Sequence, residues 1–253
     1  MLRGLYAAAS GLMAESVRND VIANNLANVN TTGFKKEAVA VRSFPEVLVK
    51  RINDGRPATV GPLARGTVID EIRTYHGAGP LLSTGRSLDL AIVGSGFLVV
   101  QTPQGERYTR SGSLAVNPEG ILVDSGGRPV MGEKGPITVD PSALEAGSLQ
   151  ISETGEVQAG GETIDRLRIV APGDLRQLQK QGGSLYTLAD PQAELQDLPD
   201  CRLKTGFLES SNVNPVAEMV DLITAMRAFE ASSKAIQAYD ATLERAVNEI
   251  ARV

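Results

Sequence analysis

Apolar residues return every seventh position at both ends of this chain, and every second position in its middle. Leu5, Leu12 and Leu26 are spaced by sevens with Asn19 in the missing slot, and Leu2, Ala9, Ser16 and Ala23 lie three residues before each. That 3-4 spacing predicts a helix over about residues 2 to 29 with one apolar seam. Gly33, after Thr31 and Thr32, supplies a stop signal. At the other end Leu222, Phe229, Ile236, Leu243 and Ile250 recur every seven residues, beside a second row of Met219, Met226, Ser233, Asp240 and Val247. Asn212 or Asn214 with Pro215 marks the start of this helix, because proline is tolerated in a first turn. Two such seams on one chain predict an antiparallel pair, in a register that brings Asn19 near Ser233.

Residues 67 to 207 read as β-structure. "SLDLAIVGSGFLVV" alternates Leu88, Leu90 and Ile92, then Phe97 and Val99 beyond Gly94 and Gly96. The turn signals "PQGE", "NPEG", "SGGR", "GEKG", "ETGE" and "AGGE" follow at short intervals. Short strands with close turns predict a meander, sandwich or barrel, not alternating βαβ units. "NDGRPATVGPLARG", residues 53 to 66, is rich in Gly and Pro and reads as a loop or extended linker. The expected class is α+β, with paired long N- and C-terminal helices resembling a coiled coil and a central all-β domain of short antiparallel strands. The expected divisions are an N-terminal helical segment over residues 1–36, a linker over 37–66, a β domain over 67–207 and a C-terminal helical segment over 208–253.

Composition removes several kinds of function. The 253 residues suit one large or two smaller domains, and 42% hydrophobic with 22% charged residues is a globular balance. A net charge of −5 offers nucleic acid nothing. Cys201 is the single cysteine and His76 the single histidine, so no disulfide framework, histidine triad or multi-histidine metal site can be built. His76 in "YHGAGP" reads as a turn or surface residue, and Cys201 in "LPDCRLKTG" as an inert thiol. "GSGF" lacks the spacing of a dinucleotide or phosphate loop. Glu153 with Glu156, and Asp197 with Asp200, flank turns and read as solvated loops, a glycosidase-type acid pair being the alternative. "NTT", residues 30 to 32, matches a glycosylation acceptor, a match that is common by chance. No catalytic, cofactor or metal site is expected. No run of about 20 apolar residues exists to span a membrane, and Glu15 and Arg18 interrupt the N-terminal apolar stretch before it forms a signal peptide.

The N-terminal helix carries a less ordinary feature. The face opposite its leucines runs Arg3, Gly4, Ala7, Ser10, Gly11, Ala14, Val17, Arg18, Val21, Asn24, Asn25 and Asn28. Two charges in twelve positions do not make a solvated face. Small residues admit close backbones, and amides are cheaper to bury than charges when each finds a hydrogen-bond partner. The helix is therefore expected to be covered on both sides, by its partner helix and by something else. A core helix of one globular domain fits this pattern, as does a helix packed among copies of the chain. The terminal position and the Gly/Pro-rich stretch that follows favour copies.

"VIANNLANVNTTGFKK", residues 21 to 36, resembles the signature of the flagellar rod and hook protein family, an Asn-Asn-Leu-Ala-Asn core ending in Thr-x-Gly-Phe. "LESSNVNPVAEMVDLITAMRAFEASSKAIQAYD", 208 to 240, is similar to that family's C-terminal helix, and "LDLAIVGSGFLVVQTPQGERYTRSGSLAVNPEGILV", 88 to 123, to its β domain. The resemblance implies a structural, non-enzymatic subunit of a tubular drive shaft in the bacterial basal body, without cofactors. It implies copies of the chain and other rod and hook proteins as partners, with the export apparatus during secretion, and neither nucleic acid nor membrane insertion. Export across the cytoplasmic membrane would proceed without a cleaved signal. "GEKGPITV" and "LESSNVNPVAEM" favour the proximal rod type, while "VIANNLANV" and "SSKAIQ" also suit the distal type. Subunit contacts are expected at Leu5, Leu12, Asn24, Asn25, Leu26, Asn28, Gly33, Phe34, Asn212, Leu222, Phe229, Ile236, Leu243 and Ile250. A coiled-coil adaptor and a wall hydrolase built on the β domain are the competing readings.

Overall fold

Both ends of the chain form the helices that the seven-residue pattern predicts. Helix α1 runs Leu2–Ala27 and helix α2 runs Pro215–Ile250. Asn214, rather than Asn212, opens α2: its Oδ1 accepts the N–H of Val216 at 3.0 Å and that of Ala217 at 3.3 Å. Pro215 then occupies the first position, where no N–H is needed. Helix α1 stops short of Gly33, which sits at φ +68° in the turn beyond it. This computed structural model describes residues 2–45, 47–53, 56–63, 66–139, 149–190, 195–199 and 201–250, with 2, 3, 47–53, 56–60, 62, 63, 249 and 250 known by backbone alone.

The chain divides into two compact units, Met1–Ala27 with Glu37–Arg73 and Asn214–Val253, and Asn28–Lys36 with Thr74–Val213. The first holds both helices. It also holds strands where the Gly/Pro-rich pattern predicts a linker. Glu37–Ser43 pairs with Thr67–Thr74, and Val47–Asn53 pairs antiparallel with Arg56–Leu63 in a hairpin that sets Leu48 against Pro62 and Ile52 against Pro57. Counting Gly and Pro as breakers misleads here. In a two-stranded ribbon each strand is an edge, and edge positions tolerate proline.

The second unit is β-rich, as expected. Among the described residues its largest sheet has six strands in the order Leu178–Gly182, Leu185–Leu188, Gly105–Thr109, Phe97–Thr102, Ile169–Pro172 and Leu195–Asp197, every neighbour antiparallel. "PQGE" closes the hairpin between Phe97–Thr102 and Gly105–Thr109, and "NPEG" the one between Leu114–Val116 and Leu122–Asp124. "ETGE" and "AGGE" separate the three strands Gln150–Ile151, Glu156–Ala159 and Glu162–Arg166. Strand Phe97–Thr102 is buried on both faces. Leu98 and Val100 enter a core with Leu90, Leu122 and Leu203, while Phe97 and Val99 enter another with Tyr108, Val170 and Tyr186. Aliphatic side chains fill the first core, while Phe97, Tyr108 and Tyr186 bring aromatic rings to the second.

Candidate functional site

The two helices meet along small residues. A Cβ on Gly4 would collide with the ring and hydroxyl of Tyr239, and one on Gly11 would lie 3.8 Å from Ser232 Oγ. Asn25 Nδ2 donates to Glu218 Oε2 at 3.0 Å. Twenty-one residues separate Gly4 from Asn25, and twenty-one separate Glu218 from Tyr239, so these contacts define one antiparallel register. Gly11, opposite Ser232, places the expected Asn19–Ser233 pair about nine residues out of step, roughly 13 Å along the axis at 1.5 Å per residue. The glycines and the buried amide set the register, and neither contributes to a count of large apolar residues.

The same contacts revise the faces. On α2 the predicted row Leu222, Phe229, Ile236 and Leu243 is half-buried, but its companion is Glu218, Ala225, Ser232 and Tyr239. Met219 and Met226 of the predicted companion row are about half exposed, and Val247 more so. Glu218 lies four residues before Leu222 and Met219 three, and both offsets fit a heptad. Periodicity therefore could not choose between them, and the more apolar row was the wrong one. On α1, Gly4, Gly11 and Asn25 come from the face expected to look away from α2, while Leu5, Leu12 and Leu26 lie half-buried beside that contact stripe.

The amide row divides by function within the chain. Asn25 is fully buried: besides Glu218, its Nδ2 donates to Glu37 O at 2.7 Å, and its Oδ1 accepts Glu37 N–H at 3.0 Å. It is a clamp joining α1, α2 and the first strand of the same unit. Asn24 is exposed, and half-buried Asn28 accepts from Thr31 Oγ1 at 3.1 Å. Ser10, on the same small face, accepts Thr67 N–H at 3.1 Å. At Ser10 and Asn25, the face expected to meet something besides the partner helix thus meets this chain's own strands. Ile250 lies among the residues whose side chains are outside the described set.

Part of the exposed helix surface is apolar. Val216, Met219, Val220, Ile223 and Met226 form one stripe on the first three turns of α2, each 47–67% exposed. Tyr6 and Met13, seven apart on α1, are about 70% exposed. Lone exposed apolar residues are ordinary, whereas a contiguous stripe marks an interaction surface.

Gly33, Phe34 and Asn212 belong to the β-rich unit, where the end of the N-terminal signature is embedded. A Cβ at Gly33 would come within 2.5 Å of the Arg110 backbone, so that approach requires glycine. Phe34 is buried beneath the Lys180 ammonium, which sits 3.6 Å from the ring centroid. Asn212 Oδ1 accepts Lys36 N–H at 2.7 Å, and its Nδ2 donates to Tyr75 O and Gly77 O. Lys35 and Glu209, both buried, form an ion pair at 2.6 Å, with Arg110 3.5 Å from the other carboxylate oxygen. Burial draws the Lys35 ammonium below the usual lysine range despite Glu209. The sequence pattern singles out neither Lys35 nor Glu209, because a charged residue in a polar stretch looks solvated until its partner is known.

His76 is half-buried. It packs against Phe97 and Tyr186, ring centroids 5.9 and 5.5 Å away, and its pKa is lowered to about 4 by burial and by the charges of Lys35, Arg110 and Lys180. Burial pushes the Cys201 thiol up, away from its reactive thiolate form. Asp197 pairs with Arg168 at 3.2 Å, and Asp200 lies outside the described residues. Among the described residues no helix is long and apolar enough to cross a membrane.

Comparison with known proteins agrees with the signature, the β domain and the C-terminal helix separately. A family model described as "Flagella basal body rod protein" matches residues 5–35, "Flagellar hook protein FlgE/F/G D1 domain" matches 91–159, and "Flagellar basal body rod FlgEFG protein C-terminal" matches 204–249. The chain is 38% identical to the flagellar basal-body rod protein FlgF of Caulobacter vibrioides, over 92% of both chains. It is 36% identical to the flagellar basal-body rod protein FlgG of Bacillus subtilis over 98% of this chain and 99% of that one, and 34% identical to FlgF of Salmonella typhimurium over 97% of both. With this coverage, on a fold whose terminal helices and β-rich unit carry the matched motifs, the chain belongs to the flagellar basal-body rod protein family.

Proposed function

We infer that this protein is a structural subunit of the flagellar basal-body rod, adding copies axially through its helix pair to build a tubular shaft that carries motor torque to the hook. The observation that carries the assembly step is the exposed apolar stripe Val216, Met219, Val220, Ile223 and Met226. A helix pair that keeps such a stripe in water gains by packing it against a neighbour. A head-to-tail contact whose rotation does not close produces an open filament, the symmetry a shaft requires.

Among the residues expected at subunit contacts, the exposed Asn24 and half-buried Asn28 remain in this proposal, with the helix rows around Leu5, Leu12, Leu222 and Phe229 supporting the pair itself. Asn25 stays within the chain as its clamp. The proximal rod type is the reading that "GEKGPITV" and "LESSNVNPVAEM" favour. Relatives named FlgF and FlgG match at 38% and 36% identity, so overall identity does not separate rod members. Export through the flagellar secretion apparatus, without a cleaved signal, completes the reading.

The test is Ile223→Asp with Met226→Asp in a strain lacking the native copy, followed by isolation of basal bodies. The expected outcome is a folded chain that is secreted yet absent from rods, with motility lost. Normal rods and swimming would refute assembly through this stripe.

A further inference from the structure

Three charged groups lie buried where assembly through the helices gives them no task. Lys35, Arg110 and Glu209 are each at most 4% exposed. Burying charges is costly, and well-packed apolar residues often serve stability as well or better. What a charged hydrogen-bonding set adds is direction. Lys35 Nζ donates to Glu209 Oε1 at 2.6 Å and to Gly77 O at 2.9 Å, and Gly79 N–H donates to the same Oε1 at 2.8 Å. Arg110 Nη1 stands 3.5 Å from Glu209 Oε2, while its Nη2 donates to Gly94 O at 2.6 Å.

The backbones around the cluster are tied in the same sense. Gly33 N–H donates to Glu209 O at 2.8 Å, Lys36 N–H to Asn212 Oδ1 at 2.7 Å, and Lys180 Nζ to Lys35 O at 3.3 Å. Residues 28–36 continue the chain from α1, and residues 208–213 lead into α2. Two legs more than 170 residues apart are therefore fastened to each other and to the β-rich unit. We propose that Lys35, Glu209 and Arg110 form a latch that holds these two legs side by side whether or not the helices are paired. The β-rich unit then presents both helix stems from one platform, which shortens the search for the α1–α2 register by removing the freedom of the intervening loop. This inference goes beyond the rod-subunit reading and does not depend on it.

Hydrogen exchange of the dilute full-length protein tests the latch. In a Gly4→Leu variant, whose side chain would collide with Tyr239 and is expected to unpair the helices, amides of Gly33, Lys36 and Gly79 are expected to stay protected at least about 100-fold over those in the middle of α1. Loss of that protection together with the helices would overturn the latch. In Glu209→Gln, both legs are expected to exchange about 10-fold faster or more while Val99, Tyr108 and Val170 in the sheet hold. A uniform loss across the sheet, or no change in the legs, would mean a merely stabilising ion pair. Asn212→Ala removes the acceptor for Lys36 N–H and the donor to Tyr75 O and Gly77 O while sparing the buried charges, and it serves if Glu209→Gln does not fold: faster exchange confined to the legs supports the latch, and unchanged exchange refutes it.

Discussion

The β-rich unit and the helix pair handle apolar surface in opposite ways. Strand Phe97–Thr102 buries residues on both faces, and Phe97, Leu98, Val99 and Val100 are all inaccessible to water. Of the described side chains of α2, only Glu218 and Ala225 are buried, and neither is a large apolar group. Helices draw most of their stability from packing an apolar face, so α2 is left with unused capacity while the strand has none. The difference teaches that the two regions complete themselves differently. The sheet is finished by its own chain, and on the assembly reading the helices are finished by neighbours. Small residues at Gly4 and Gly11 bring α1 and α2 close, but they bury little area and leave the larger side chains outside.

The sharpest way to break this contrast is to truncate one large side chain in each region. Phe97→Ala is expected to cost about 3–5 kcal/mol by urea denaturation, whereas Phe229→Ala in the dilute chain is expected to cost about 1 kcal/mol, because that ring is only half-buried. Equal costs would abolish the distinction. Acid reaches the β-rich unit next. His76 binds its proton with a pKa of about 4 when folded and an ordinary value of 6.5 when unfolded, so the unfolded chain holds more protons between them. Stability is full above pH 6.5 and falls as the pH drops toward 4, by up to about 3 kcal/mol and less for the ring's partial exposure. A His76→Gln variant should flatten the pH 4–6.5 slope relative to the unmodified protein; an unchanged slope would assign it to carboxylates instead.

Smaller effects sharpen the helix side. Gly4→Ala is expected to cost roughly 1–3 kcal/mol by overpacking against Tyr239, while Gly11→Ala, whose new methyl makes an ordinary contact, should gain up to about 1 kcal/mol. Thermal melts followed by helical circular dichroism distinguish the two; the same sign for both would overturn the register. The smallest effect on the single chain is Val220→Lys, within about 0.5 kcal/mol because the side chain already faces water. A large destabilisation in dilute solution would show that this stripe is covered within the chain.

Local periodicity carried both helices, the turns and the alternating strand residues, because each is specified by neighbours a few positions apart. Asn212 or Asn214 with Pro215 bracketed the start of α2, and Gly-rich signals identified the hairpins. The span 37–66 was less legible, since edge strands accept the prolines and glycines that would break a central strand. The family motifs were recognisable in order, yet the motif did not reveal the task of each residue in it. Of its asparagines, Asn25 is an internal clamp while Asn24 faces water, although they are adjacent in sequence.

By itself, then, the sequence determined that helices close both ends, that strands fill the middle, and that the chain resembles rod proteins. Only the tertiary structure decided which helix faces meet, in what register, and which charges are buried. The reason is physical. A heptad tolerates either of two companion rows, and the choice fell to the close approach at Gly4 and Gly11 and to the hydrogen bonds of Asn25. Likewise the charge of Lys35 signals solvent until Glu209, 174 residues away, is folded against it; no local pattern contains that distance.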